Sequence, residues 1–135
     1  MNIWQTNSPK DLQDMGQYFR GLLIVMASDG HLFEAEQVRV TRFGLACGFS
    51  EKFIKENIEN VLTNRYIPSV PPRFHSMKTA KRFILEAAEV AVCDGELHPN
   101  EQKWIYEVAR ENDISENEIK TVIDSAMSEF INSKE

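Results

Sequence analysis

The chain has 135 residues, a formal net charge of −6, and 42% hydrophobic and 27% charged side chains. That is long enough for one core burying roughly two thirds of the unfolded chain's surface, and the composition excludes disordered and collagen-like classes. The acidic balance argues against nucleic-acid binding, which neutralises many phosphates with Lys and Arg.

The opening "MNIWQTNSPKDLQ" lacks a basic start followed by an apolar stretch, so no secretory signal is read. The longest apolar run, "LLIVMA" at 22–27, is too short for a transmembrane segment. The expectation is a cytoplasmic, single-domain protein spanning 1–135.

A first helix opens at Ser8-Pro9, a capping residue followed by a proline whose missing N–H costs nothing at the first helical position. Leu12, Met15, Phe19, Leu22, Leu23 and Met26 recur at helical spacing and predict its buried face, with a stop near Ser28. A second helix runs from about Glu34 to Cys47, carries Val38, Val40, Phe43 and Leu45, and closes at Gly48. Ser50 caps a third, with Phe53, Ile54, Ile58, Val61 and Leu62 as its core side.

The segment "NRYIPSVPPRFHS" holds three prolines, which rule out a helix through it, and forms a linker over about 64–76. Its Tyr66, Ile67 and Phe74 are assigned to packing. A fourth helix, about 77–93, places small Ala80, Ala87, Ala88 and Ala91 where the bulky first helix can approach closely. Glu86 and Glu89 on it read as a charged stripe facing water. His98-Pro99 starts a fifth helix with Trp104, Ile105 and Val108 inward. Ser115 and Glu118 form a capping box for the sixth, which carries Ile119, Val122, Ile123, Met127 and Phe130. No convincing strand signal is present.

Sliding the chain by 65 residues aligns 15–62 with 80–127 without a gap. Identities then fall at Val25/Val90, Asp29/Asp94, Gly30/Gly95, Leu32/Leu97, Glu36/Glu101, Gln37/Gln102, Ser50/Ser115, Glu51/Glu116, Ile54/Ile119, Lys55/Lys120 and Ile58/Ile123. Chance would give on the order of three, so the economical account is an internal repeat. The expected fold is all-α: a compact six- to seven-helix bundle built by duplication of a three-helix unit, with repeats at about 9–63 and 77–132.

The repeat centres on "SDGHLFEAEQ" and "CDGELHPNEQ". Helix punctuation explains most of it: Gly30 and Gly95 tolerate positive φ, Leu32 and Leu97 plug the core, Glu36 and Glu101 fall near the third position of the next helix, and Asp29 and Asp94 can accept backbone N–H bonds in the turn. Oxygen density offers a second reading, since Asp29, Glu34, Glu36, Asp94, Glu96 and Glu101 are hard ligands of the type calcium or magnesium prefers. The spacing from Gly to Glu matches the second half of an EF-hand loop. Its first half is missing, because Val25, Ala27, Val90 and Val92 stand where that loop needs carboxylates.

His31, His75 and His98 have no second histidine at ligand spacing and read as solvated. Cys47 and Cys93 read as buried, reduced thiols. No nucleophile elbow, phosphate loop or Cys–His pair is placed by the sequence, and the expectation is a non-enzyme. Between Glu59 and Glu86 there is no acid, while Arg65, Arg73, Lys78, Lys81 and Arg82 are basic. They read as a solvated loop and helix start, and are candidates for docking an acidic protein partner.

The paired "ASDGHLFEAE" and "VCDGELHPNE", each after an apolar helix, resemble the TerB-like family. That family includes the tellurite-resistance protein TerB and the N-terminal domain of certain DnaJ-type co-chaperones. The resemblance covers roughly 10–130. It implies a compact helical bundle and a bacterial setting in tellurite resistance or general stress response, acting by protein contact. It also implies a divalent cation (calcium, magnesium, manganese or zinc) on Asp29, Glu36, Asp94 and Glu101. Where the family often places Ser or Thr before the Glu-containing helix, this chain has Phe33 and His98.

Overall fold

A computed structural model describes residues 9–28, 34–63, 70–92 and 97–133. The order is α1 (Pro9–Ala27), α2 (Glu34–Ala46), α3 (Glu51–Thr63), α4 (Met77–Ala91), α5 (Pro99–Glu111) and α6 (Glu116–Ser133). Among the described residues there is no strand, and no helix is long and apolar enough to cross a membrane.

The helix ends follow local chemistry. The Ser50 hydroxyl accepts the Phe53 N–H at 3.0 Å, and Ser76, in extended backbone, accepts the Thr79 N–H at 3.4 Å. Both satisfy an amide that has no carbonyl in its own helix. His98 is the N-cap of α5 with Pro99 at the first turn. After α2 the Gly48 N–H reaches Leu45 O at 3.0 Å and the Phe49 N–H reaches Gly44 O at 3.0 Å, with Gly48 at φ +93. This is the Schellman closure expected of a glycine there. Half of the expected capping box on α6 forms: Ser115 Oγ accepts the Glu118 N–H at 3.2 Å, while the Glu118 carboxylate pairs with Lys81 at 3.3 Å.

α4 is the hub, packing on α1, α2, α5 and α6, while α1 packs on α2, α3, α4 and α5. The small residues of α4 explain this role. Ala80, Ala87, Ala88 and Ala91 are all buried and present little bulk to a crossing helix. Gly21 completes the approach from α1, since a Cβ there would lie 2.7 Å from the Phe83 ring. Gly44 does the same for α3, where a Cβ would lie 2.7 Å from Ile54.

Around Tyr18 the rings pack in complementary geometries: Phe43 stacks at 4.4 Å, Phe83 stands edge-on at 5.2 Å, and Phe74 lies tilted at 5.9 Å. Phe74 therefore packs as a lid over the core, as its sequence suggests; Tyr66 and Ile67 lie outside the described residues.

Four apolar residues depart from expectation. Leu12, Val38, Leu45 and Phe53 are exposed rather than buried. Leu12, Val38 and Leu45 lie on helix faces left open to solvent, and Phe53 packs on Phe19 and Phe49 with part of its ring still exposed. The core takes Tyr18 and Val25 from α1 and Ala126 from α6 in addition to the expected Phe19, Leu22, Ile119 and Ile123.

Candidate functional site

Glu36 and Glu101 occupy the same place in their helices, in the first turn of α2 and α5, and both are 0% exposed. A carboxylate withdrawn from water needs hydrogen-bonding or cationic compensation, because isolated burial of the charge costs several kcal/mol or more. For Glu101 part of that compensation is local: its Oε1 accepts the His98 N–H at 3.1 Å. This is the reach-back half of a capping box, and it satisfies an N-cap amide. Asp29 and Asp94, the other members of the candidate set, lie outside the described residues.

The end of α1 meets the start of α5. Asn100 Nδ2 donates to Ser28 O at 3.2 Å, linking the residue before Glu101 to the residue before Asp29. Deeper in the bundle, Trp104 Nε1 donates to Gly21 O at 3.3 Å, from α5 to α1. On the other side Arg39 reaches from α2 to α4, its Nη1 and Nη2 donating to Glu89 Oε2 at 2.9 and 2.7 Å.

The α4 carboxylates correct the expectation of a solvated stripe. The Tyr18 hydroxyl, fully buried, donates to Glu86 Oε1 at 3.0 Å and contacts Arg82 O at 3.2 Å. Burial, followed by the Glu86 charge, raises the Tyr18 phenol far above its ordinary range. Burial also pushes the Glu89 carboxyl up, opposed by Arg39 and reinforced by Glu86 and Glu129. The Cys47 thiol is pushed up to about 12 by burial, then by Glu86. A thiol held in that form is a poor nucleophile at neutral pH.

Two further buried polar residues were not identified from the sequence. Asn112 bridges the linker to α5: its Oδ1 accepts the Phe74 N–H at 2.9 Å while Nδ2 donates to Pro72 O and Val108 O, both at 2.8 Å. Asp14 accepts the His75 N–H with both oxygens, at 3.0 and 3.1 Å. These side chains replace the backbone partners that a proline-interrupted segment cannot make for itself. Neither carries a periodic sequence signal: Asp14 is a single acid within α1, and Asn112 is the residue just past the end of α5.

Among the basic candidates, Arg73, Lys78, Lys81 and Arg82 are exposed on the linker and α4, and Arg65 lies outside the described residues. Lys81 is engaged by Glu118, a surface pair worth little in free energy. Among the described residues no three His, Cys, Asp or Glu side chains converge as a metal-holding group. The carboxylates of Glu36 and Glu101 are nonetheless the donor type a hard cation takes, and a carboxylate can accept an amide through one oxygen while facing a cation with the other. No family model matches the chain, and neither a curated protein nor a solved structure does.

Proposed function

We propose that this chain is a non-enzymatic, TerB-like helical module that acts by protein contact in a bacterial tellurite-resistance or stress-response setting. In this reading its paired acidic turns, Asp29 with Glu36 and Asp94 with Glu101, hold a divalent cation. The observation that carries it is the full burial of Glu36 and Glu101 at the same helical position, 65 residues apart. Carboxylate oxygens are the ligands a hard divalent cation takes, and two in equivalent places are suited to share one.

Several relationships support the underlying duplication. Exchanging α1, α2 and α3 for α4, α5 and α6 turns the set of packed helix pairs into itself: α1 on α2 becomes α4 on α5, and α2 on α4 becomes α5 on α1. Arg39 and Trp104, also 65 apart, each cross to the first helix of the other unit. Calorimetric titration with calcium, magnesium, manganese and zinc tests the cation. Wild type gives saturable heat with at least one ion, and a Glu36→Gln, Glu101→Gln variant loses it; equal, negligible heats for both proteins would remove the metal from the account.

A second reading needs no metal. The exposure of Arg73, Lys78, Lys81 and Arg82 favours a surface that docks an acidic partner. Poly-L-glutamate is a suitable probe. Binding that falls with salt and is lost on charge reversal at Lys78, Lys81 and Arg82 supports this surface, and unchanged binding in the variant counts against it.

A further inference from the structure

Three phenylalanines cluster where α3 crosses α1, with ring centroids 5.1 Å apart for Phe19 and Phe49, 5.1 Å for Phe49 and Phe53, and 6.1 Å for Phe19 and Phe53. They line a groove of about 430 Å³ together with Leu23 and Val61. That volume falls in the range of small-molecule sites, which combine apolar walls with a few placed polar groups. Phe53 remains 44% exposed, so the aromatic surface opens to solvent.

Gly16, which also lines this groove, has no packing reason to be glycine. The helical glycines Gly21 and Gly44 are explained by neighbours that would meet a Cβ at 2.7 Å, whereas a Cβ at Gly16 would meet nothing within 4 Å. Glycine inside a helix is destabilising relative to alanine. Here it leaves that part of the groove lining without a side chain.

The charge of the groove is one-sided in an otherwise acidic protein. Arg20 is its one charged lining residue among those described, accompanied by the carboxamides of Asn57 and Asn60. The guanidinium is partly withdrawn from water, donates to Gln17 Oε1 at 2.6 Å, and carries five N–H donors in a fork that suits a carboxylate. A partly buried cation attracts an anion more strongly than an exposed one.

From the aromatic lining, the bare position at Gly16 and the Arg20 guanidinium, we propose that the α1–α3 groove binds a small amphipathic carboxylate, an alkyl or aryl chain ending in a carboxyl group. The chain lies over Phe19, Phe49 and Phe53, and the carboxylate pairs with Arg20. This site is separate from the acidic turns and needs no metal.

Titration of the full chain with decanoate, kept below its micelle concentration and followed by amide chemical shifts, tests the proposal. The expected result is saturable shifts at Gly16, Phe19 and Phe53, with decylammonium binding at least tenfold more weakly. Arg20→Gln lowers decanoate affinity tenfold or more, and Gly16→Leu abolishes binding while the protein still unfolds cooperatively on heating. Absence of saturable shifts at these amides in wild type, shifts confined to another surface, or equal affinity for decylammonium would overturn it. So would unchanged decanoate affinity in Arg20→Gln, a change that leaves the apolar lining intact.

Discussion

Gly48 and Asp113 hold the same left-handed backbone conformation, φ +93 and +60, just beyond the ends of α2 and α5. In each case the next residue closes the helix: the Phe49 N–H reaches Gly44 O at 3.0 Å and the Ile114 N–H reaches Ala109 O at 2.9 Å. Glycine adopts this conformation without steric cost, whereas an aspartate carries a Cβ penalty that its short polar side chain only partly offsets. Asp113→Gly therefore raises stability by about 0.5–1 kcal/mol, and Gly48→Ala lowers it by about 1 kcal/mol. Urea unfolding of the two variants beside wild type checks both signs.

Alanine at the helical glycines has opposite consequences by position. Gly16→Ala adds a methyl group in open space and removes the conformational freedom of glycine, for a gain of about 0.5–1 kcal/mol. Gly21→Ala drives a methyl into the Phe83 ring, and overpacking of this kind costs about 1–3 kcal/mol. Thermal melts of the pair should move in opposite directions.

Asn112 is the anchor of the linker. Asn112→Ala removes its bonds to Phe74 N–H and Pro72 O and leaves buried backbone groups unsatisfied, at a cost of about 2–4 kcal/mol. Hydrogen exchange at the Phe74 amide should accelerate together with the loss of stability. Asp14→Asn keeps one carbonyl for the His75 N–H and has a smaller effect.

Alkaline pH should destabilise the protein through Tyr18 and Cys47. Each holds its proton more tightly folded than unfolded, so each contribution is fully present at lower pH and is lost as pH rises above the ordinary ionisation range. For Tyr18 that loss begins near 10.0, and for Cys47 it runs from about 9.0 to about 12. In a spectrophotometric titration of the three tyrosines, one ionises only with unfolding, and Tyr18→Phe removes that step. In a Cys93→Ser background, Cys47 reacts with a disulfide reagent more slowly at pH 8 than a free thiol does.

Helix placement was legible because its causes are local. Ser50, Pro99 and Gly48 act on amides and carbonyls within a few residues, and the alanines of α4 announce close packing by their size. Side-chain burial was less legible, because it depends on what covers a face. Leu12 and Val38 are apolar residues of the same helices as Leu22 and Val40, yet the former pair meets solvent and the latter is buried. Glu86 reads as a surface charge until Tyr18, 68 residues away, is placed against it. The Asp14 and Asn112 contacts to the linker are likewise long-range and leave no periodic trace. At the acidic turns, spacing located Glu36 and Glu101 at their helix starts, but their complete burial emerged only with the fold.

Cation-dependent stability is the sharpest test of a shared ion on the acidic turns, since a ligand that binds only the folded state raises its unfolding temperature by mass action. Wild type and the Glu36→Gln, Glu101→Gln variant are melted in chelator and then with calcium, magnesium, manganese or zinc at 1,000 times the dissociation constant found by calorimetry, or at roughly millimolar levels where no heat is seen. The account predicts a stabilisation of about 4 kcal/mol by at least one ion at that saturation in wild type and none in the variant. Identical melting with and without every ion in both proteins would contradict it.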